Sequence, residues 1–312
     1  MTRARLSIKI ATMMALTVAS ASCDVLEQLI LRPSDNIRNT PADFGYEAEK
    51  LALPMADGTL ISIWHCKTPA ATRKGIIVVV PGNDANKGRY TAGLPLFSDF
   101  GWDMILMDYP GFGESTGTKS LQGLIDSTFV VTDYAMSKAD VVVGYGISMG
   151  APVLMRVAAE RDFAAVMFES ILDLWGEGSG FIEHHLGGIP GIDDSPFVSA
   201  IDLVAIAGSP EAFDTKRWAA LVEEPKLFIH SPEDNVTPFQ TMWEVYKRAP
   251  QPKHVFVTEG DHALQIFLDP VLYRETINGW LTGVLSPDPI LNEKFQEILQ
   301  IEIQAALDEL GL

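Results

Sequence analysis

Ser148 lies in the pentapeptide Gly146-Ile147-Ser148-Met149-Gly150, directly after the apolar run Val141-Val142-Val143 and directly before the helix-compatible stretch Ala151 to Glu160. A strand that turns at once into a helix brings the two backbones so close that the positions two before and two after the serine can carry no side chain. The same sharp turn lifts the hydroxyl out of the sheet edge. A hydroxyl presented in this way is a candidate nucleophile. Unassisted, it attacks poorly at neutral pH, so the chain must also supply a base within hydrogen-bond reach and a third group that fixes the base's tautomer.

Of the six histidines, only His254 and His262 follow the candidate acids in the chain order serine, acid, histidine. His254 stands at the entry to an apolar strand, Val255 to Val257, where its ring would lie at the wrong end. His262 stands just past that strand, in Glu259-Gly260-Asp261-His262-Ala263, and is the candidate general base. The acid is expected in Ile229-His230-Ser231-Pro232-Glu233-Asp234-Asn235-Val236-Thr237-Pro238, where Glu233 and Asp234 both qualify. Asp234 is preferred, because a short side chain followed by Asn-Val-Thr-Pro suits a turn aimed at the neighbouring loop; its competing role is to cap the helix starting near Pro238. Glu169, after the strand ending at Phe168, is the second candidate acid, and Asp261 reads as a loop-fixing residue. Acyl transfer also needs two backbone N–H groups for the developing oxyanion, worth about 3 to 4 kcal/mol each. Met149, at the positive end of its helix, would give one. Asn83, in the loop Pro81-Gly82-Asn83-Asp84-Ala85-Asn86, would give the other, with Gly82 letting the backbone turn; a simple turn before a helix is the alternative.

These residues need a sheet that delivers them to one edge. Asp57-Gly58 between Leu51 to Pro54 and Leu60 to Cys66 is a hairpin signal. Beyond it, the short apolar runs 76–80, 104–107, 141–143, 165–168, 227–229 and 255–257 alternate with helical candidates at 90–100, 121–138, 151–160, 239–247 and 271–281. Runs of that kind are parallel strands covered on both faces. The expected fold class is α/β, a three-layer α/β/α sandwich whose mostly parallel sheet starts with an antiparallel hairpin. The segment Asp108-Tyr109-Pro110-Gly111-Phe112-Gly113-Glu114-Ser115 reads as a structural loop, since no phosphate-binding pattern accompanies it. Between Phe168 and Leu227 the chain is far longer than a crossover requires. A cap over about 170–222, carrying Trp175, Phe181, Leu186, Ile189, Phe197 and Leu203 beside Gly176, Gly178 and Gly180, would line an acyl pocket; an ordinary connecting helix is the equal alternative.

Together, the Ser148 turn, Asp234 and His262 in order, the Pro81-Gly82-Asn83 loop and the Asp108 to Ser115 segment resemble the α/β-hydrolase superfamily, and within it the dienelactone hydrolase and serine aminopeptidase-like branch. The likeness covers roughly residues 46–284. It implies a serine hydrolase that cleaves carboxylic esters or thioesters through an acyl-enzyme, with Ser148, His262 and Asp234 as the triad, Asn83 and Met149 as the oxyanion hole, and no cofactor. Many relatives have His-Gly in the oxyanion loop where this chain has Pro81-Gly82. Two other functions stay open: a peptidase using the same triad on small peptides, and a non-catalytic envelope lipoprotein that keeps the scaffold for binding.

The 312 residues, 47% hydrophobic, suit one large domain, and a formal charge of −18 with no basic stripe argues against nucleic acid as a partner. His184-His185 after Glu183 offers no third ligand at suitable spacing, so no metal site is expected. The segment 285–312 is expected to carry an acidic amphipathic helix that docks on its own domain or on a partner subunit. Arg3, Arg5 and Lys9 before the apolar run Ile10 to Val18 form a signal peptide pattern over 1–22, followed by an N-terminal tether over 23–45. Ser20-Ala21-Ser22-Cys23 resembles a bacterial lipoprotein box, although Ser20 stands where leucine is usual; Ala19-Ser20-Ala21 is a competing cleavage site that would leave a soluble secreted protein. Lipidation of Cys23 is favoured, since the cysteine closes the signal at the usual place. Asp24 beside it resembles an inner-membrane retention signal. The expected location is the bacterial cell envelope, anchored and facing the periplasm. Expressed in a bacterial host, the mature protein should begin at a Cys23 carrying acyl chains; intact mass showing an unmodified Cys23 would end the anchor reading.

Overall fold

The computed structural model describes residues 31–173 and 213–286, and within the C-terminal segment residues 293, 297, 299, 300, 303–305, 307, 308, 310 and 311. Cys23, His184, His185 and positions 174–212 of the expected cap lie outside the described residues. Strands β1 (Ala48–Pro54) and β2 (Leu60–Cys66) form the antiparallel hairpin turned at Asp57-Gly58. They lead into β3 (Gly75–Val80), β4 (Trp102–Met107), β5 (Val142–Ile147), β6 (Ala165–Glu169), β7 (Lys226–His230) and β8 (Lys253–Val257). The eight strands lie in the order β1-β2-β4-β3-β5-β6-β7-β8, with every pair after β2-β4 parallel.

Alternation along each strand builds two cores. Ile76, Val78 and Val80 face one side, packed with Leu124 and Val131 of α2 (Leu121–Met136), Val153 and Val157 of α3 (Gly150–Ala158) and Met242 and Val245 of α5 (Phe239–Arg248). Ile77 and Val79 face the other, with Leu94 and Phe97 of α1 (Leu94–Phe97) and Tyr273, Ile277 and Trp280 of α7 (Pro270–Leu285), which follows the one-turn α6 (Gln265–Leu268). The result is the three-layer sandwich, because strands apolar on both faces must be covered on both. Helix starts follow local chemistry: Ser120 accepts from Gly123 N at 3.0 Å, and Asp269 from Leu272 N at 2.9 Å with Pro270 in the first turn. The single helix expected over 90–100 is instead a 3₁₀ turn over Lys87–Gly93, the one-turn α1 and a second 3₁₀ turn over Ser98–Phe100. Gly93 and Pro95 interrupt it, since proline tolerates only the first turn of a helix.

Two segments differ in role from the sequence reading, and the C-terminal one docks on its own domain as one of its two expected outcomes. From Leu31 onward the expected tether is docked: Leu31 is fully buried, its carbonyl accepts from Lys119 Nζ at 2.7 Å, and the Asn86 side chain donates to Ser34 O and Asn36 O. The two ends of the expected cap belong to the domain body, with Ile171, Leu172, Phe213 and Val222 buried in the core and α4 (Thr215–Ala219) packed on α3 and α5. In the C-terminal segment, Leu299 and Ile303 are buried against the protein's own two cores. Cys66 is a free thiol sealed in the core; burial, helped by Asp103, pushes its pKa up to about 12.

The Asp108 to Ser115 loop is tied down by one buried cation. Lys87, fully buried, bonds the Asp108 carboxylate, reaches Glu114 Oε2 at 2.8 Å and Ser62 Oγ at 3.0 Å, and lies 4.9 Å from the Trp64 ring centre. Asp108 also accepts from the Lys87 and Glu114 amides, at 2.7 and 2.9 Å. A single ammonium thus joins the loops after β3 and β4. Removing one partner of such a pair leaves the other charge buried and uncompensated, at a cost of about 3–5 kcal/mol. Lys87→Met is expected to lower the unfolding free energy by that amount in urea denaturation; a change below about 1 kcal/mol would show that the ammonium is dispensable.

Candidate active site

The sheet order reverses at β3: the chain moves outward to β4 and returns to β5 on the other side. Crevices of open α/β sheets form outside the strand ends at such a switch point. The loop after β3 carries Asn83, and the turn after β5 carries Ser148. At that turn the glycines are required by contact. A Cβ on Gly150 would stand 2.1 Å from Val80 O, and one on Gly146 would stand 2.6 Å from Gly150 O. At Gly82 an added Cβ would make only ordinary contact, 3.4 Å from Ser148 Cβ. Ser148 adopts φ +55°, in the left-handed region that costs a non-glycine residue of order 1 kcal/mol or more. Its amide donates to Glu169 O at 2.8 Å, and its carbonyl accepts from Ala151 N at 3.0 Å, which pins the strained residue from both sides.

Three loops, after β5, β7 and β8, meet over this turn. His262 Nε2 is 2.9 Å from Ser148 Oγ, and His262 Nδ1 is 2.9 and 3.1 Å from the two oxygens of Asp234. With Nδ1 donating to the carboxylate, Nε2 is left as the acceptor facing the hydroxyl, as a general base requires. The carboxylate of Asp234 is inaccessible to solvent, whereas the imidazole keeps a fifth of its surface exposed. Burial alone would raise the Asp234 carboxyl. It is outweighed by the hydrogen bond and charge of His262 and by the Thr237 amide, which together hold the group well below the usual carboxylate range.

Around the three, Thr237, Ser170 and His230 were not legible in advance, whereas Asp261 fixes its loop as expected. Thr237 donates its hydroxyl to Asp234 Oδ2 at 2.8 Å and its amide to Oδ1 at 2.8 Å, and Val236 N adds a third donor at 2.9 Å. Asp234 is therefore bound inside its own turn rather than capping α5, whose N-cap is Pro238. Asp261 accepts from both His262 N and Asn235 N, and Glu233 accepts from Gly260 N, so these two carboxylates tie the acid loop to the histidine loop. Ser170, at φ +48°, accepts the amide of Ala263, itself at φ +51°. No motif marks Ser170. His230 is buried with Nε2 donating to Thr237 O at 2.7 Å, and burial holds its pKa down, so it stays neutral beside Asp234. His254, as expected, plays no part: its Nδ1 accepts from Trp280 Nε1 at 3.0 Å in the core, and burial holds its pKa down to about 4.

The expected oxyanion pair flanks the serine. Met149 is the N-cap residue of α3, so its amide belongs to the group that a helix start leaves without an intrahelical acceptor. The loop bearing Asn83 is held from three directions: Gly82 N donates to Tyr90 OH at 2.7 Å, Tyr109 OH donates to Pro81 O at 2.9 Å, and Arg32 N donates to Asn83 Oδ1 at 3.2 Å. Proline in place of the more usual histidine is thus accommodated by tyrosines on both sides. A cavity of about 190 Å³ opens beside Ser148 and His262 and is bounded by Asn83, Tyr90, Phe97, Met104, Tyr145 and Glu169, among others. Among the described residues, no cluster of three or more metal-ligating side chains occurs, and no helix is long and apolar enough to cross a membrane.

The chain belongs to the alpha/beta hydrolase family, whose family model matches residues 77–305. It is 29% identical over 238 residues to the uncharacterized protein YfhR of Salmonella typhimurium, spanning 72% of this chain and 76% of that one. It is 25% identical over 271 residues to the uncharacterized protein YqkD of Bacillus subtilis, spanning 83% and 87%. Among solved structures, an esterase from Pyrococcus furiosus superposes with a TM-score of 0.68 at 17% identity, over 81% of this chain and 97% of that one. An esterase from Exiguobacterium antarcticum does so with a TM-score of 0.57 at 16% identity, over 75% and 100%. At these identities the structural likeness is one of fold.

The low folded-state pKa of Asp234 has a definite sign in stability. Charged Asp234 stabilises the fold fully above the unperturbed value of 3.8, and the contribution is lost as the pH falls through the lower folded value. Asp234→Asn should therefore be less stable than wild type by a steady margin from about pH 7 to about pH 4, and the gap should close on further acidification. Chemical denaturation across that range checks this, and a margin that grows below pH 4 would contradict it.

Proposed function

We propose that the protein is a serine hydrolase that cleaves carboxylic esters or thioesters through an acyl-enzyme, in the dienelactone hydrolase and serine aminopeptidase-like branch of its family. The observation that carries this reading is the unbroken hydrogen-bonded line from Ser148 Oγ through the imidazole of His262 to Asp234, at the rim of a cavity. Ser148 Oγ attacks the carbonyl carbon while His262 Nε2 takes its proton. The carbonyl oxygen becomes an oxyanion, which the Asn83 and Met149 amides hold, aided by the positive end of α3. The imidazolium, steadied by an Asp234 that stays ionised, then gives its proton to the leaving alcohol or thiol. Water repeats the sequence on the acyl-enzyme and releases the acid. All of these steps use the chain's own groups, and none calls for a cofactor.

The cavity volume lies below the roughly 300–1,000 Å³ of sites for drug-sized ligands, which favours short acyl groups. The esterase names of the Pyrococcus furiosus and Exiguobacterium antarcticum structures agree with ester chemistry. The protein acts in the bacterial envelope, exported by its signal peptide and held at the membrane through lipidated Cys23. A fluorophosphonate probe should label the wild type at Ser148 and fail to label Ser148→Ala. Hydrolysis of p-nitrophenyl butyrate should fall roughly 10⁴-fold or more in that variant. Wild type that is folded by circular dichroism yet neither labels nor hydrolyses would favour the binding-module alternative.

A further inference from the structure

Glu169 is the last residue of β6, paired in register with Ile147, the residue before the nucleophile. It is 3% exposed and lines the same cavity as Ser148 and His262. Although it was the second candidate acid, its carboxyl bonds elsewhere. Oε2 accepts from the hydroxyls of Tyr145 and Tyr273, the latter at 2.7 Å, and the two hydroxyl oxygens are 2.5 Å apart. Both tyrosines are buried, Tyr273 completely. Among the described residues, Oε1 has no hydrogen-bond partner, and no lysine, arginine or histidine lies within ion-pair distance of the carboxyl.

The contrast with the other buried acids is informative. Asp108 has Lys87 and two amides, and Asp234 has His262 and a ring of donors. A buried carboxyl without a cation costs several kcal/mol if ionised, and Oε1, which is not among the sealed side-chain atoms, is left to meet whatever occupies the cavity. Burial, above all, pushes the Glu169 pKa up. Such a group beside a candidate nucleophile marks a binding position better than a structural one. Val79, Phe97, Met104 and Ile147 give the same cavity apolar walls, while Asn83, Asp84, Arg89 and Tyr90 add polar groups elsewhere on its lining. Oε1 donates when the carboxyl is protonated and accepts when it is ionised. A hydroxyl matches both states, an ammonium only the ionised one, and a carbonyl only the protonated one.

We propose that Glu169, held by Tyr145 and Tyr273, is a specificity-determining residue that binds a hydroxyl group of the substrate, so that hydroxylated esters are the preferred class. This rests on the serine-hydrolase reading. The hydroxyl can sit on the acyl chain or on the alcohol, and the two sources separate by experiment. In a pH-stat, kcat/KM is compared for ethyl 3-hydroxybutyrate against ethyl butyrate, and for 2-hydroxyethyl butyrate against propyl butyrate. In the wild type, one of the two ratios should reach about tenfold or more, since a site built to hydrogen-bond a hydroxyl discriminates against its absence. That ratio should fall towards one in Glu169→Leu and fall partly in Glu169→Gln and Tyr273→Phe, which keep the shape of the pocket if Glu169→Leu fails to fold. Two flat ratios in an active wild type, or a ratio unchanged in all three variants, would overturn the inference while leaving the hydrolase reading intact. Faster turnover of ethyl 3-aminobutyrate than of either hydroxylated ester would also overturn it, in favour of an ammonium ligand. A wild type inert towards every ester and towards the fluorophosphonate would overturn both readings.

Discussion

The architecture of the site hangs on a near-collision. The first turn of α3 crosses so closely over the end of β3 that the position of Gly150 has room for no carbon beyond Cα: an added one would lie 2.1 Å from Val80 O. That approach compels the chain to leave β5 through a left-handed Ser148, and it lets the helix start directly over the switch point of the sheet. The hydroxyl is raised above the strand ends beside the positive end of a helix, and the loop after β3 comes close to it, with a Cβ at Gly82 only 3.4 Å from Ser148 Cβ. The strain is offset locally by the bonds to Glu169 O and Ala151 N and globally by a sheet whose central strands are fully buried.

Charge is distributed with equal economy. Among the buried acids of the described residues, Asp108, Asp234 and Glu169 stand at one edge of the sheet and meet burial differently. Lys87 neutralises Asp108 and in doing so welds together two loops on the oxyanion side. Asp234 is kept ionised by hydrogen bonds and by the imidazole it orients, while the neighbouring His230 remains neutral and so does not compete for it. Glu169 faces two phenols and, among the described residues, no cation within ion-pair distance. The first two acids are held by a cation and by hydrogen bonds, and the third by two phenols, so the three carboxyls of this edge differ in environment.

Periodicity and spacing carried most of this. Apolar runs of three to five residues announced the parallel strands, Asp57-Gly58 announced the hairpin, and the glycines at 146 and 150 announced the turn, because each reflects a local steric or burial demand. Where the reading was coarse, the cause was non-local. The helix expected over 90–100 is broken by Gly93 and Pro95, yet its fragments are held in place by packing of Leu94 and Phe97 on a sheet face that no window of sequence displays. The supposed tether is docked from Leu31 because Asn86 and Lys119, more than fifty residues away, capture its carbonyls.

By itself the sequence determined the layers, the strand order's parallel character and Ser148 and His262 as groups able to act together, with Asp234 only preferred among several acids, since residue type and chain order depend on short-range rules. Only the tertiary structure decided which carboxylate meets the imidazole. Asp234, Glu233, Asp261 and Glu169 all stand at the right edge. Loop geometry assigns the first to His262, the next two to backbone amides and the last to a pair of tyrosines from β5 and α7. A contact of 2.9 Å between groups 114 residues apart is set by how loops pack, a property of the folded whole and of no segment within it.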